Sequence, residues 1–228
     1  MAVCFMKKSM EQFVYTTITE AIVKRKLAPG TQLIEMSIAE QLNVSRTPVR
    51  NAIKRLENDG FINVIPNRGA FVIHPSVEEM AQAYFIRKEL ELISVREGFR
   101  LMTTHHTDKM SALIQQEKKA LNESNIMAYL EINKQFHMVM ANACGNKFLT
   151  DYLDKILNQI DLYLLIYNAI HELEKEFDTG WEEHTDLVEA IKTNDMEAYQ
   201  SILVKHLDFS LEELKFNTMN YKPLANLF

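Results

Sequence analysis

The placement of helix-breaking residues constrains this chain more than any other feature. Its 228 residues include six glycines and five prolines, and seven of these eleven fall before residue 76. Relative to Ala, Gly costs a helix interior about 1 kcal/mol and Pro about 3 kcal/mol, so a stretch nearly free of both can form long helices. Residues 76–228 therefore read as an all-helical body, and residues 1–75 as a smaller module with tighter turns. Charge divides at the same place. Residues 1–75 carry ten basic and six acidic side chains, net +4; residues 76–228 carry fifteen and twenty-five, net −10. The whole-chain value of −6 taken alone would argue against a nucleic-acid partner, but a basic module joined to an acidic one suggests two different partners.

Other classes are excluded quickly. No apolar run approaches the roughly 18–20 residues of a membrane span. Lys7 and Lys8 follow a short apolar patch, the reverse of a signal peptide. Cys4 and Cys144 have no framework spacing, so the expected compartment is a reducing cytoplasm.

In the first module, Phe13, Val14, Thr17, Ile18, Ala21 and Ile22 recur at helical spacing, which predicts a helix over 11–26 ended by Ala28-Pro29-Gly30. Ser37-Ile38-Ala39-Glu40 reads as a capping box opening a short helix, and Asn43 suits a left-handed turn. Ser45 reads as a second N-cap, with Pro48 in the first turn, where a missing N–H is harmless. That helix continues through Val49, Ile53 and Leu56 to Asp59-Gly60. Two short helices around a tight turn make a helix-turn-helix, whose second helix can enter the DNA major groove. Its exposed side carries Ser45, Arg46, Thr47, Arg50 and Lys54. Arginine can grip guanine O6 and N7 together, which distinguishes base pairs. Strands at 61–65 and 70–73 around Pro66-Asn67-Arg68-Gly69 complete a hairpin wing whose tip offers Arg68 and Gly69 to a minor groove. A basic helix alone is usually a solvated face; it is the conjunction with a basic-tipped hairpin that points to DNA.

The run Leu27-Ala28-Pro29-Gly30-Thr31-Gln32-Leu33, followed by Ala39 through Arg50 and by Arg55-Leu56-Glu57-Asn58-Asp59-Gly60, resembles the winged helix of GntR-family bacterial repressors. The resemblance covers nearly all of residues 11–75. It implies that Arg46 and Arg50 contact bases and that Gly69 meets the minor groove. The family commonly has Glu-Ala after the second arginine; Asn51-Ala52 stands here, on the recognition face.

In the second module the period predicts helices near 77–102, 107–122, 125–143, 147–170, 181–193 and 195–217. Three histidines lie on apolar stripes: His137 with Phe136 and Met140, His184 with Leu187 and Val188, and His206 with Leu203. His184 lies ten residues before Asn194 and His206 eleven after Asp195, so a hairpin there brings both to one height, roughly 15 Å from the turn. Three inward imidazoles can form a tripod for a divalent ion. A single such histidine is more often an ordinary core residue with a hydrogen-bond partner. The clusters Lys118-Lys119 and Glu172-Glu174-Glu176 read as solvated faces.

Asn133 to Gly145-Asn146, and His184 with Leu187-Val188-Glu189-Ala190-Ile191 and His206-Leu207, are similar to signatures of the FCD domain, the helical effector module of the FadR branch of that family. The resemblance implies a metal site of Asn133, His137, His184 and His206, holding zinc or nickel. Metal-binding members have aspartate at the first position; an amide oxygen there can ligate but brings no charge. Arg87 matches a pocket arginine suited to a carboxylate, with an i,i+4 salt bridge to Glu91 as the alternative. Tyr163 and Tyr167 face either the pocket or the core.

The expectation is a mainly α protein: a winged helix-turn-helix DNA-binding domain over 1–75, then an all-helical effector-binding and dimerisation domain over 76–228. It would act as a homodimeric cytoplasmic regulator, a repressor on a palindromic operator, with Arg87, Asn133 and Tyr163 around a small carboxylate effector. Two alternatives stand beside it: a three-histidine metallohydrolase, and a ligand-independent repressor with a purely structural helical domain.

Overall fold

A computed structural model describes residues 2–167 and 180–221. These form two compact units: residues 2–75 with 165–167 and 220–221, and residues 76–164 with 180–219.

The first unit opens with α1 (Ala2–Val23), followed by β1 (Gln32–Leu33), α2 (Glu35–Gln41), α3 (Arg46–Asn58), β2 (Ile62–Ile65) and β3 (Gly69–Val72). Helix α1 packs on α3, burying Val14, Ile18 and Ile22 on one side and Val49, Ala52 and Leu56 on the other. Each large apolar side chain removed from water contributes roughly 1.5–3 kcal/mol. The sheet is antiparallel in the order β1-β3-β2, with Ile62 opposite Val72 and Ile65 opposite Gly69. The hairpin wing thus forms as its turn residues indicate.

Two local expectations are corrected, and a short strand appears that the sequence reading did not include. Helix α1 starts nine residues before the predicted residue 11. Helix α2 starts at Glu35 with Ile34 as its N-cap, so Ser37 sits inside the helix and no capping box forms there. Ser37 instead receives a hydrogen bond from Gln41 Nε2. Strand β1 is too short to show a period; it exists because Gln32 and Leu33 pair with Phe71 and Ala70.

The second unit contains α4 (Val77–Gly98), a 3-10 turn (Phe99–Leu101), α5 (Thr104–Asn122), α6 (Ile126–Ala143), α7 (Lys147–Tyr167), α8 (Gly180–Lys192) and α9 (Met196–Met219). Its caps are legible: Ser76 accepts from the Glu79 N–H, and Asn125 accepts from the Ala128 N–H. Thr103 and His106 form a reciprocal capping box that starts α5 three residues earlier than the period indicated. A core of Val95, Phe99, Leu113, Ile114, Phe136 and Leu203, among others, ties α4, α5, α6, α8 and α9 together. Gly98 allows α4 to touch α6 closely: a Cβ there would lie 2.7 Å from Cys144 Sγ and 2.8 Å from the Met140 carbonyl. That close approach helps bring Glu91 of α4 against His137 of α6. Residues 168–170 of the predicted fourth long helix, and the Glu172-Glu174-Glu176 cluster, lie outside the described residues.

Candidate functional site

The exposed face of α3 begins at Ser45, which is the N-cap by position and backbone but makes no side-chain cap bond. Ser45, Arg46, Thr47, Arg50 and Lys54 are all exposed. Glu35, at the start of α2, accepts from Arg50 Nε at 3.2 Å and Nη2 at 3.1 Å, and from Arg46 Nη2 at 3.5 Å. The two-point contact fixes the Arg50 guanidinium plane and holds the Glu35 carboxyl below its usual range, chiefly through that hydrogen bond. The sequence reading missed Glu35, whose partners lie eleven and fifteen residues away. At the wing tip Arg68 and Gly69 are exposed, and Gly69 has φ +100°, a conformation that glycine adopts without strain. Gln32 Nε2 bonds the Arg68 carbonyl at 2.7 Å, tying β1 to the wing.

In the second unit, α6, α8 and α9 bring His137, His184 and His206 together. One ring nitrogen from each lies within 4.8 Å of the others, and all three residues are buried. Ring centroids are 5.2 Å apart for His137–His184, 5.3 Å for His137–His206 and 4.9 Å for His184–His206. The nearly equal offsets of His184 and His206 from the α8–α9 turn do bring their rings together, with centroids 4.9 Å apart.

Each imidazole is backed by a carboxylate. His137 Nδ1 donates to Glu91 Oε2 at 2.8 Å, His184 Nδ1 to Glu117 Oε2 at 2.8 Å and His206 Nδ1 to Glu183 Oε2 at 2.6 Å. A carboxylate can only accept, so each Nδ1 carries a proton, and in the neutral ring Nε2 keeps a lone pair. Nε2 of His137 and of His184 is buried without a hydrogen-bond partner among the described residues. Burial pushes the His137 pKa down to about 3 and lowers that of His206, against the pull of Glu91 and Glu183 respectively. Burial alone would raise the Glu91 pKa, but His137 and Arg87 together hold that carboxyl well below its ordinary range. Imidazoles whose Nδ1 is backed by a carboxylate match the usual outer shell of a histidine-bound metal. The residues present therefore fit a divalent cation. Glu117 and Glu183 were missed by the sequence reading. Glu117 had a usable signal, since it lies on the apolar stripe of Met110, Leu113 and Ile114.

The other expected site residues divide. Arg87 is buried and bonds Glu91 Oε1 through Nε at 2.7 Å, so the i,i+4 salt bridge forms. Its Nη2 is nonetheless buried without a partner among the described residues. Asn133, one turn before His137 on α6, is buried and makes no hydrogen bond among the described residues. The Tyr163 hydroxyl is engaged: it donates to Glu79 Oε1 at 2.7 Å, which leaves the phenol tied to the start of α4. Tyr167 belongs to the first unit and donates to the Pro75 carbonyl at 2.9 Å. Lys118, expected as part of a solvated face, lies 3.5 Å over the Trp181 ring.

Comparison with known families matches residues 10–72 to the bacterial regulatory proteins of the gntR family and residues 82–209 to the FCD domain. The chain belongs to the GntR family, FCD-containing branch. It is accordingly a transcriptional regulator with a GntR helix-turn-helix and a helical FCD domain. It is 23% identical over 207 residues to the HTH-type transcriptional repressor RspR of Escherichia coli (strain K12), covering 90% of this chain and 89% of that protein. It is 25% identical over 184 residues to the HTH-type transcriptional regulator McbR of the same organism, covering 78% and 80%. The fold is similar to that of a putative transcriptional regulator GntR from Rhodococcus sp. RHA1, with TM-score 0.66 and 21% identity over 90% of this chain and 97% of the other. Among the described residues, no helix of this regulator is long and apolar enough to cross a membrane.

Proposed function

We propose that this regulator is a cytoplasmic, metal-dependent repressor whose helical domain (76–228) binds a small organic acid and whose winged helix (1–75) reads a palindromic operator as a homodimer. The observation that carries this reading is the convergence of three carboxylate-backed imidazoles beside the buried Arg87. His137, His184 and His206 would hold zinc or nickel through Nε2, with Asn133 offering its amide oxygen. A bound ion would supply an open coordination position for a carboxylate. Arg87, fixed by Glu91, would present Nη2 to the same carboxylate. The exposed apolar residues Phe85 and Ile86 on α4, and Phe209 and Phe216 on α9, favour coverage by a second copy. On DNA, Arg46 and Arg50 would read bases in the major groove, with Ser45, Thr47 and Lys54 on phosphates. Arg68 and Gly69 would approach the minor groove. An effector that binds one dimer geometry better than the other would alter the spacing of the two α3 helices; equal affinity for both would change nothing. The named repressor among the relatives supports the sign of regulation.

Elemental analysis and gel shift test this together. The purified protein should carry about one divalent ion per chain, and His184→Ala with His206→Ala should lose it. Normal metal content in that variant removes the imidazoles as ligands. Operator affinity indifferent to chelator and to every organic acid would leave the helical domain structural. Chelator-sensitive turnover of an ester would instead favour the hydrolase alternative.

A further inference from the structure

Glu35 on α2 has no part in the buried core, yet it sits against the reading face of α3. Ile38 and Ala39 of α2, and Val49 and Ile53 of α3, are buried, which seats both helices on the core of the first unit. Asn43, at φ +51°, closes the turn between them, and the Val44 N–H bonds the Ala39 carbonyl at 3.0 Å. Glu35 therefore stands at a fixed place beside the first turns of α3. There its Oε1 accepts from Arg50 Nε at 3.2 Å. Its Oε2 accepts from Arg50 Nη2 at 3.1 Å and, more weakly, from Arg46 Nη2 at 3.5 Å.

Stability does not explain this contact. The Glu35 side chain is 28% exposed, and those of Arg46 and Arg50 are 62% and 56% exposed. An ion pair so open to solvent adds little to folding. A carboxylate on a face that meets DNA also repels phosphate, which lowers affinity for any sequence. The geometry shows what offsets that cost. A guanidinium carries five N–H groups in one plane. Glu35 takes the edge formed by Nε and Nη2 of Arg50. The remaining edge, formed by Nη1 and the second Nη2 hydrogen, lies at the tip of the side chain. Two parallel N–H groups at that tip match O6 and N7 of guanine. Arg46 is held at one point only, so its plane is less constrained.

We propose that Glu35 is a positioning residue for base reading: it orients Arg50 so that the Nη1–Nη2 tip meets a guanine of the operator half-site. This rests on the reading of α3 as the DNA-contacting helix and names a residue and a base for it. Ordering a long side chain on binding costs affinity, and Glu35 orders Arg50 before DNA arrives. The benefit at that base pair is roughly 2–10-fold in discrimination, the usual cost of immobilising one such side chain. Elsewhere the carboxylate acts in the opposite sense. Without it, Arg50 turns to phosphate and non-specific affinity rises.

The test uses the full-length protein and a duplex it selects from a random-sequence library. Fluorescence anisotropy then measures binding to every single base-pair variant of that duplex. Arg50→Ala should lose discrimination roughly 5–100-fold at one G·C pair of the half-site. Glu35→Gln keeps the size of the side chain but can accept through one oxygen only. It should lose roughly 2–10-fold at that same pair and bind a scrambled duplex more tightly. In the Arg50→Ala background it should cost nothing further there. With the unaltered protein, 7-deazaguanine at that position, which lacks the N7 acceptor, should weaken binding roughly fivefold or more. Unchanged discrimination in Glu35→Gln overturns the proposal. So does a loss that spreads evenly over all base pairs or persists in the Arg50→Ala background, the mark of a merely structural role. An Arg50→Ala loss at an A·T pair, or undiminished binding of the 7-deazaguanine duplex, overturns it without any variant of Glu35. If Arg50→Ala keeps full discrimination at every base pair, the assignment of α3 fails, and the proposal with it.

Discussion

Replacing Glu117 by Gln tests whether the carboxylates behind the imidazoles tune the metal site. Glu117 Oε2 accepts from His184 Nδ1 at 2.8 Å, with the two side chains 1% and 0% exposed, so solvent cannot compensate for a lost charge. Gln is nearly isosteric and its amide oxygen can still accept from Nδ1, so ring orientation and packing should survive. What is lost is the negative charge that makes Nε2 a better donor to a metal. A charge-assisted hydrogen bond is about twice as strong as a neutral one, and changes at this outer shell typically cost 10–100-fold in metal affinity. The expected loss is thus about 1.4–2.8 kcal/mol of zinc binding. Competition with a chromophoric chelator measures it, and thermal melting of the metal-free variant checks that the fold is intact. Unchanged zinc affinity in a protein that melts normally would refute the assigned role of Glu117. Glu117→Ala should be worse, because it leaves a buried N–H unsatisfied at a cost of about 1–3 kcal/mol of folding stability.

Four further outcomes are expected. Asn133→Asp should tighten zinc binding in the same chelator competition, because it adds a negative oxygen where an uncharged amide stands; no change would remove position 133 from the ligand set. Arg50→Ala should cost about 1–3 kcal/mol of operator discrimination in gel shifts. Glu35→Gln, which frees the Arg50 guanidinium, should change operator preference without unfolding α3; identical specificity for both variants would refute the assignment of this face. For Asp161, burial holds the folded pKa near 7 against an ordinary value of 3.8. The folded state then binds the extra proton between those values, so this residue's contribution falls as pH rises from about 4 to 7. Asp161→Asn should therefore be more stable than the parent above pH 7, by about 2–4 kcal/mol, in denaturant melts of metal-free protein. A difference that does not grow with pH would show that the carboxyl is solvated.

Much of the fold was legible because its signals are local. A helix needs only an apolar stripe, a cap and no interior proline, so α3, α6, α8 and α9 fall close to their expected spans. The hairpin turn at residues 66–69 likewise encodes its own wing. Misreadings arose where distant chain decided the outcome. Ser37-Ile38-Ala39-Glu40 has the composition of a capping box, yet the chain entering from β1 starts the helix at Glu35. Strand β1 has two residues and no period of its own; β3 creates it.

The site divides in the same way. The sequence by itself determined that three histidines would face a helical core, that two would share a height across the α8–α9 turn, and that the basic charge would gather on α3. Only the tertiary structure decided what each polar group touches. The carboxylates behind His137 and His184 come from 46 and 67 residues away. Arg87 has the local partner Glu91 that its spacing indicated, yet the same carboxylate also holds His137, 46 residues away. Tyr163 could have faced an effector, but Glu79 holds its hydroxyl. Helical period sets which face a side chain is on; which other face it meets depends on helix packing, and no local spacing encodes that.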